Sequence, residues 1–356
     1  MLRLEDIDPN FKINNTDAPD DYLYYDPRNA PFSIYGLAEN DQGEYCRLPL
    51  DFLPQCTERV QHLAYHLAGA CVRFSTDSSH LHVVWELKYP SNMAHFTGCG
   101  QNGMELFEET DHGTRQVKNL IPKLVHEGQL KQSHYFPLPG GMRHYVLYLP
   151  LYNGLNQLLL GVAPGSRVEA GRKPAIEKPI VYYGSSITQG GCATKSGSCY
   201  TTLLARRLDI AQINLGFSGN ARGEESMARH IAGLPMSVFV MDYDHNAPTL
   251  EHLQATHEPF FRIVREAQPD LPIVMVSRPD FDKNPADSIA RRNVIINTYA
   301  KALAQGDQNV HFVDGELFFG PKDRDLCTVD QCHPTDIGFL RMADGLEPLL
   351  RRILNA

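Results

Sequence analysis

The sequence predicts two units of different class: an antiparallel β-sandwich over residues 1–175 and a three-layer α/β unit with a parallel sheet over residues 176–356. Three observations predict this. The first half alternates apolar and polar residues with period two, the second half alternates short β-branched runs with helical stretches, and a polar, proline-bearing segment lies between them. A chain of 356 residues is long enough for two cores.

Residues 24–162 carry short alternating runs bounded by turn residues, the signature of half-buried strands. The run His80-Leu81-His82-Val83-Val84-Trp85-Glu86-Leu87 places Leu81, Val83, Trp85 and Leu87 on one face. Residues 144–150 and 156–162 read as two further strands joined through Asn153-Gly154. Gly and Pro cluster between such runs, as at Pro139-Gly140-Gly141, and no long stretch has a 3.6-residue period. The segment around 165–179, with Gly171-Arg172-Lys173-Pro174, reads as a linker.

Beyond the linker, residues 179–183, 211–215, 237–243, 272–277 and 309–313 read as strands. Helical patterns at 198–208, 224–232, 250–267 and 285–305 separate them, and a last helix is expected over 336–354. Such alternation implies a parallel sheet covered by helices on both faces. Ligands bind such sheets beyond the carboxyl ends of the strands, so the residues just after each strand are the candidates.

Charge narrows the function classes. The first 176 residues carry 15 basic and 20 acidic side chains and the remainder 18 and 22, so neither half is a basic module. Nucleic-acid and membrane-surface partners are therefore not expected. Apolar runs such as 155–162 and 237–241 are far shorter than the roughly 20 residues of a membrane span. The opening Met1-Leu2-Arg3-Leu4-Glu5-Asp6-Ile7-Asp8-Pro9 is acidic where a secretory signal would be apolar, which gives a cytoplasmic expectation. Of eight cysteines, Cys46, Cys56, Cys71 and Cys99 read as small buried hydrophobes. Cys192, Cys199, Cys327 and Cys332 flank the segments described next. Free thiols are the default for them, with a four-thiolate zinc site or local disulfides as the alternatives.

Four chemical signals sit at the predicted strand ends. The first strand runs into Gly184-Ser185-Ser186-Ile187-Thr188, where a serine in a strand-to-helix turn can serve as a nucleophile or simply as a cap. Thr188 stands where the Gly-x-Ser-x-Gly elbow would place its second glycine, and no Gly-Lys-Ser/Thr follows as in a phosphate loop. Ser218-Gly219-Asn220 follows the second strand and Asp244-His245-Asn246-Ala247 the third, offering a close backbone N–H and a neutral side-chain amide for an oxyanion. Asp330-Gln331-Cys332-His333-Pro334 precedes the last helix, with a carboxylate spaced to reach the Nδ1–H of a histidine.

In this chain order the second half resembles the SGNH (GDSL-type) hydrolases, over about residues 178–356. The family usually has Asp where Ser185 stands, and its third block, Gly-x-Asn-Asp, keeps only Asn246 here. The first half is similar to the N-terminal, jelly-roll-like sandwich of one subgroup. The resemblance implies a flavodoxin-like catalytic domain, a triad of Ser186, His333 and Asp330, and an oxyanion hole made by the N–H groups of Ser186 and Gly219 and the amide of Asn246. It implies acyl transfer through an acyl-enzyme with no metal or organic cofactor. Arg222, Asp244 and His245 are candidate substrate contacts. A short acyl ester, acetyl in the first place, on a carbohydrate-like or small polar alcohol is the expected substrate. An acyltransferase with a small-molecule acceptor, or an inactive carbohydrate-binding module, are the alternatives. Oligomeric state is not legible.

Overall fold

The computed structural model describes residues 7–8, 18–123, 125 and 129–356. The opening nine residues, which carry the cytoplasmic expectation, lie outside them except for Ile7 and Asp8. No helix among the described residues is long and apolar enough to cross a membrane.

The first half is two antiparallel sheets face to face. One orders its strands β1 (Leu23–Tyr25), β9 (Leu155–Val162), β4 (His80–Leu87) and β7 (Lys131–Pro137). The other orders β10 (Val168–Ala170), β3 (Cys71–Thr76), β8 (Arg143–Tyr148), β5 (Met104–Thr110) and β6 (Gly113–Leu120), with β2 (Ser33–Tyr35) also pairing β3. Leu81, Val83, Trp85 and Leu87 of β4 are all fully buried in the core between the sheets. Each such side chain contributes about 1.5–3 kcal/mol by leaving water.

Asn153-Gly154 does not close a hairpin. β8 and β9 belong to different sheets, and the chain crosses between them at this corner. The fully buried Asn153 holds the corner by accepting the N–H groups of Tyr89 and Gly154 at 3.0 and 2.9 Å and donating to Asn102 Oδ1 at 2.8 Å.

The second half is a five-stranded parallel sheet in the order β12 (Ile210–Gly216), β11 (Ile176–Gly184), β13 (Val238–Asp242), β14 (Ile273–Val276) and β15 (Val310–Val313). This is the doubly wound order 2-1-3-4-5, in which the first strand sits at the topological switch point. Two short helices, α1 (Glu58–Ala64) and α2 (Gly98–Asn102), precede the sheet; within and after it come α3 (Ser186–Gln189), α4 (Tyr200–Leu208), α5 (Glu225–Ala232), α6 (Leu250–Ala267), α7 (Pro285–Ala304) and α8 (Asp336–Leu354). Polar caps set their starts as the sequence implies: Thr249 and Thr335 accept N–H bonds in the first turns of α6 and α8, and Asn284 does so before Pro285 in α7.

The two halves share their interior. Val60, Leu63 and Ala64 of α1 pack in one cluster with Tyr183, Leu215 and Phe239, while Phe96, Leu151 and Tyr152 join another with Ile187, Tyr200 and Phe339. Arg47, 2% exposed, staples the join by donating to the carbonyls of Asn214 (2.6 Å), Gly216 (2.9 Å) and Leu63 (2.7 Å). Burial lowers its pKa to about 10, which leaves the guanidinium charged at neutral pH.

Candidate active site

Ser186 opens α3 at the carboxyl end of β11. Ser185 caps that helix, its Oγ accepting the Ile187 N–H at 3.1 Å. An Asp at this position would cap in the same way, so the departure from the family pattern preserves the local fold. Ser186 Oγ lies 2.9 Å from His333 Nε2, and His333 Nδ1 lies 2.8 Å from Asp330 Oδ2. Because an ionised carboxylate only accepts, Nδ1 carries a hydrogen, and in the neutral ring Nε2 is left to accept from serine.

A tight loop shapes the acid–histidine end. Asp330 Oδ1 accepts the backbone N–H groups of Cys332 (3.1 Å) and His333 (2.8 Å), Gln331 takes a left-handed φ of 64°, and Val329 N–H reaches the His333 carbonyl at 2.9 Å. Partial burial works to raise the Asp330 pKa, but the hydrogen bonds from the His333 ring and backbone outweigh it and hold the carboxyl below its ordinary value. Gly191 makes room for the histidine. A Cβ there would stand 3.2 Å from His333 Cδ2 and 2.8 Å from Tyr152 Oη.

The ends of β11, β12 and β13 are laced together. Phe217 N–H donates to Gly184 O at 2.9 Å, and Asn246 Nδ2 donates to Phe217 O at 3.0 Å, leaving the second hydrogen of the amide for another acceptor. Gly219 has a φ of 68°, and nothing stands within 4 Å of where its Cβ would be, so its N–H lies in an unobstructed left-handed turn. Gln189 joins these pieces, accepting Ser218 N–H at 3.0 Å and donating to Leu151 O at 3.2 Å.

The three candidate substrate contacts are placed differently. Arg222 is half-buried and turns back toward Gly219 O at 3.4 Å. Asp244 is 1% exposed and accepts the Arg278 N–H at 3.2 Å; burial raises its pKa against the pull of Arg278 and His245. His245 faces Cys332 Sγ through Nε2 at 3.1 Å, and its Nδ1 lies 3.3 Å from Asp280 Oδ1, an ion-pair separation without hydrogen-bond alignment. Although burial opposes it, Asp280 and Cys332 raise the His245 pKa to about 10. Burial likewise opposes the ionisation of Asp280, yet His245 and Arg278 bring its pKa down to about 2.

The sandwich half reaches this site. Tyr152 Oη donates to Ser186 O at 3.0 Å, and the His95 ring lies 5.9 Å from that of His333, centre to centre. Nothing in the local sequence marks Tyr152 or His95. Asp280 was legible by rule, since it follows the fourth parallel strand, but no motif singled it out. At the end of β13, Asp242 is buried and accepts from Thr188 Oγ1 and Tyr200 Oη at 3.0 Å each; burial and the neighbouring Asp244 raise its pKa to about 7.

All eight cysteines are free. Cys192, Cys199, Cys327 and Cys332 do not share one cluster among the described residues: Cys199 meets Thr202, Cys327 meets Arg341, Cys192 adjoins His95 and His333, and Cys332 adjoins His245. The groups with metal-ligand proximity are His95–Cys192–His333, His245–Asp280–Cys332 and Asp330–Cys332–His333. Both nitrogens of His333 already face Ser186 and Asp330, so binding a metal would break the serine–histidine–aspartate chain.

A doubly wound sheet with a serine, histidine and aspartate in hydrogen-bonded sequence at its switch point defines a carboxylic ester hydrolase of the SGNH type. Residues 177–351 belong to the GDSL-like lipase/acylhydrolase family, whose model they match, and residues 22–168 match the N-terminus of SGNH hydrolase-type esterases. Among solved structures, it is similar to a GDSL-like lipase from Bacteroides ovatus, with 25% identity and a TM-score of 0.84 over 94% of this chain and 98% of that one. It is also similar to the salicylyl-acyltransferase SsfX3 from a tetracycline biosynthetic pathway (20% identity, TM-score 0.75, 95% and 98% covered). An acetyl xylan esterase from Butyrivibrio proteoclasticus shares the fold (13% identity, TM-score 0.57, 94% and 99% covered). No curated protein matches the sequence.

Proposed function

We propose that this protein is a serine esterase that removes a short acyl group, acetyl in the first place, from a carbohydrate-like or small polar alcohol through an acyl-enzyme on Ser186. The observation that carries the reading is the unbroken chain from Ser186 Oγ to His333 Nε2 (2.9 Å) and from His333 Nδ1 to Asp330 Oδ2 (2.8 Å). His333 takes the serine proton as Oγ attacks the ester carbonyl, and Asp330 holds the imidazolium that forms. The N–H groups of Ser186 and Gly219 and the free hydrogen of the Asn246 amide receive the oxyanion, each donor contributing about 3–4 kcal/mol to the transition state. His333 then protonates the departing alcohol, and water repeats the sequence on the acyl-enzyme.

Solvent exposure supports a polar alcohol, since the side chains of His333 and Asp330 are 25% and 38% exposed at the triad's outer end. The acetyl xylan esterase likeness points the same way. Eight free thiols suit the reducing cytoplasm. Residues 1–175 and 176–356 are taken as the two domains, with Tyr152 and His95 reaching the second from the first.

Ser186→Ala is expected to lower kcat/KM on p-nitrophenyl acetate by about 10,000-fold or more. Full activity in that variant would overturn the assignment. Labelling of Ser186 by a fluorophosphonate separates an enzyme from an inert binding module, and product analysis with added alcohols separates hydrolysis from acyl transfer.

A further inference from the structure

The loop that carries Asp330 and His333 also carries a second constellation, which the ester chemistry does not use. Cys332, between them in sequence, sets its Sγ 3.1 Å from His245 Nε2. Asp280, with no side-chain exposure, stands 3.3 Å behind His245 at Nδ1. Arg278 fixes Asp280 through two contacts, Nε to Oδ1 at 3.0 Å and Nη2 to Oδ2 at 3.3 Å. Sulfur, imidazole and carboxylate thus repeat the order of a cysteine nucleophile, its base and the orienting acid.

We propose that Cys332, His245 and Asp280 form a reactive-thiol site whose sulfur takes hydrogen peroxide and other small electrophiles, and whose oxidation shuts down the neighbouring Ser186 centre. The buried Asp280 carboxylate keeps a proton on His245, and the charged ring faces the sulfur at 3.1 Å, where it pairs with negative charge that develops during attack. The thiolate sulfur attacks one peroxide oxygen, an S–O bond forms and the O–O bond breaks. The departing hydroxide takes the Nε2 proton of His245 and leaves as water. Sulfur is oxidised by two electrons to a sulfenic acid and the peroxide is reduced. An added dithiol returns the sulfenic acid to the thiol, with release of water.

The neighbours of Cys332 set it apart from the other cysteines. Cys199 meets Thr201 and Thr202, Cys327 meets Arg341, and Cys192 adjoins His95 and His333, whose Asp330 is partly exposed, whereas Cys332 faces a histidine backed by a fully buried carboxylate. Cys332 is 5% exposed, enough for a water-sized oxidant. Its neighbour Gln331, with Asp280 and Thr328, lines a cavity of about 310 Å³. The coupling to the ester site is short: Cys332 N–H donates to Asp330 Oδ1, and His245 precedes Asn246 in one helical turn. An oxygen added to Sγ must displace His245 or the Asp330 loop.

The thiol chemistry stands apart from the proposed esterase reading; only its consequence for activity rests on it. The experiment treats the full-length protein at pH 7 with peroxide at stoichiometric to tenfold levels, quenches it with catalase, unfolds it in dimedone and maps all eight cysteines by peptide mass spectrometry. Ester hydrolysis and fluorophosphonate labelling of Ser186 are followed in parallel. Cys332 is expected to oxidise at least tenfold faster than any other cysteine, with Ser186 labelling lost in step and restored by dithiothreitol. His245→Gln should slow the oxidation about tenfold, while Cys332→Ala, or Cys332→Ser if the alanine variant does not fold, should keep basal activity and resist peroxide. Oxidation of Cys332 no faster than its peers, or undiminished in His245→Gln, overturns the site. Equal inactivation of the Cys332 variant overturns the switch. Absence of Ser186 labelling in the untreated protein would instead sink the esterase reading and leave the cysteine rates to decide the thiol site.

Discussion

Two histidine–aspartate pairs meet at one loop, and they differ mainly in water. His333 and Asp330 belong to the same tight turn, with side chains 25% and 38% exposed, and the pair faces a serine hydroxyl. His245 and Asp280 come from the ends of different strands, with side chains 18% and 0% exposed, and face a thiol. In the proposed reaction the exposed pair exchanges a proton with an incoming ester and releases an alcohol. In the enclosed pair the carboxylate is locked by Arg278 and holds His245 as a cation, so in the resting protein the ring stands as a charge beside the sulfur. The same two residue types therefore give a proton shuttle in one place and a charge anchor in the other.

The strongest way to break this contrast is to delete each histidine. His333→Ala is expected to cost about 10,000-fold in kcat/KM on p-nitrophenyl acetate, whereas His245→Ala should cost about tenfold or less, through the neighbouring Asn246. Equal losses in steady-state kinetics would erase the distinction. Asn246→Ala comes next: removal of one oxyanion donor is expected to lower kcat by about 100- to 1,000-fold with little change in KM.

The enclosed pair also predicts a pH signature. The folded pKa of Asp280 lies near 2, below the roughly 3.9 of an unfolded chain, so its stabilisation is present above pH 4 and is lost as pH falls toward 2. His245 is raised to about 10 from an unfolded value near 6.5, so its stabilisation is complete below that value and is lost as pH rises through 10. Urea unfolding at pH 6, 8 and 10 should show wild-type stability falling over this interval, and Asp280→Asn should flatten the slope. A parallel pair of curves would remove the charge-anchor role. The smallest effect on activity is expected from Arg47→Met, which strips three carbonyls between the halves of their donor and should cost about 3 kcal/mol in chemical denaturation, while kcat in the folded fraction changes little.

Much of the second half was legible because its signals are local. Strand and helix periods, the caps Thr249 and Thr335, and the spacing of Asp330 to His333 are all set within a few residues, and the structure closes that spacing into a 2.8 Å contact. Asn153-Gly154 shows the limit of such reading. The same dipeptide serves a hairpin or a corner between sheets, and the choice rests on the partners of Asn153, Tyr89 and Asn102, both distant in the chain. The partner of Asp244 was equally out of reach: its carboxylate accepts the Arg278 N–H from the loop after the next strand, 34 positions away.

By itself the sequence determined the class of each half, the strand–helix alternation of the second and the serine, histidine and aspartate available for ester chemistry, because periodicity and short spacings are properties of the chain. Only the tertiary structure decided that Tyr152 and His95 from the sandwich meet Ser186 and His333, and that Cys332 meets His245 across 87 positions. Those contacts form where the ends of separate strands and loops converge, and their distances follow from packing, which no local pattern encodes.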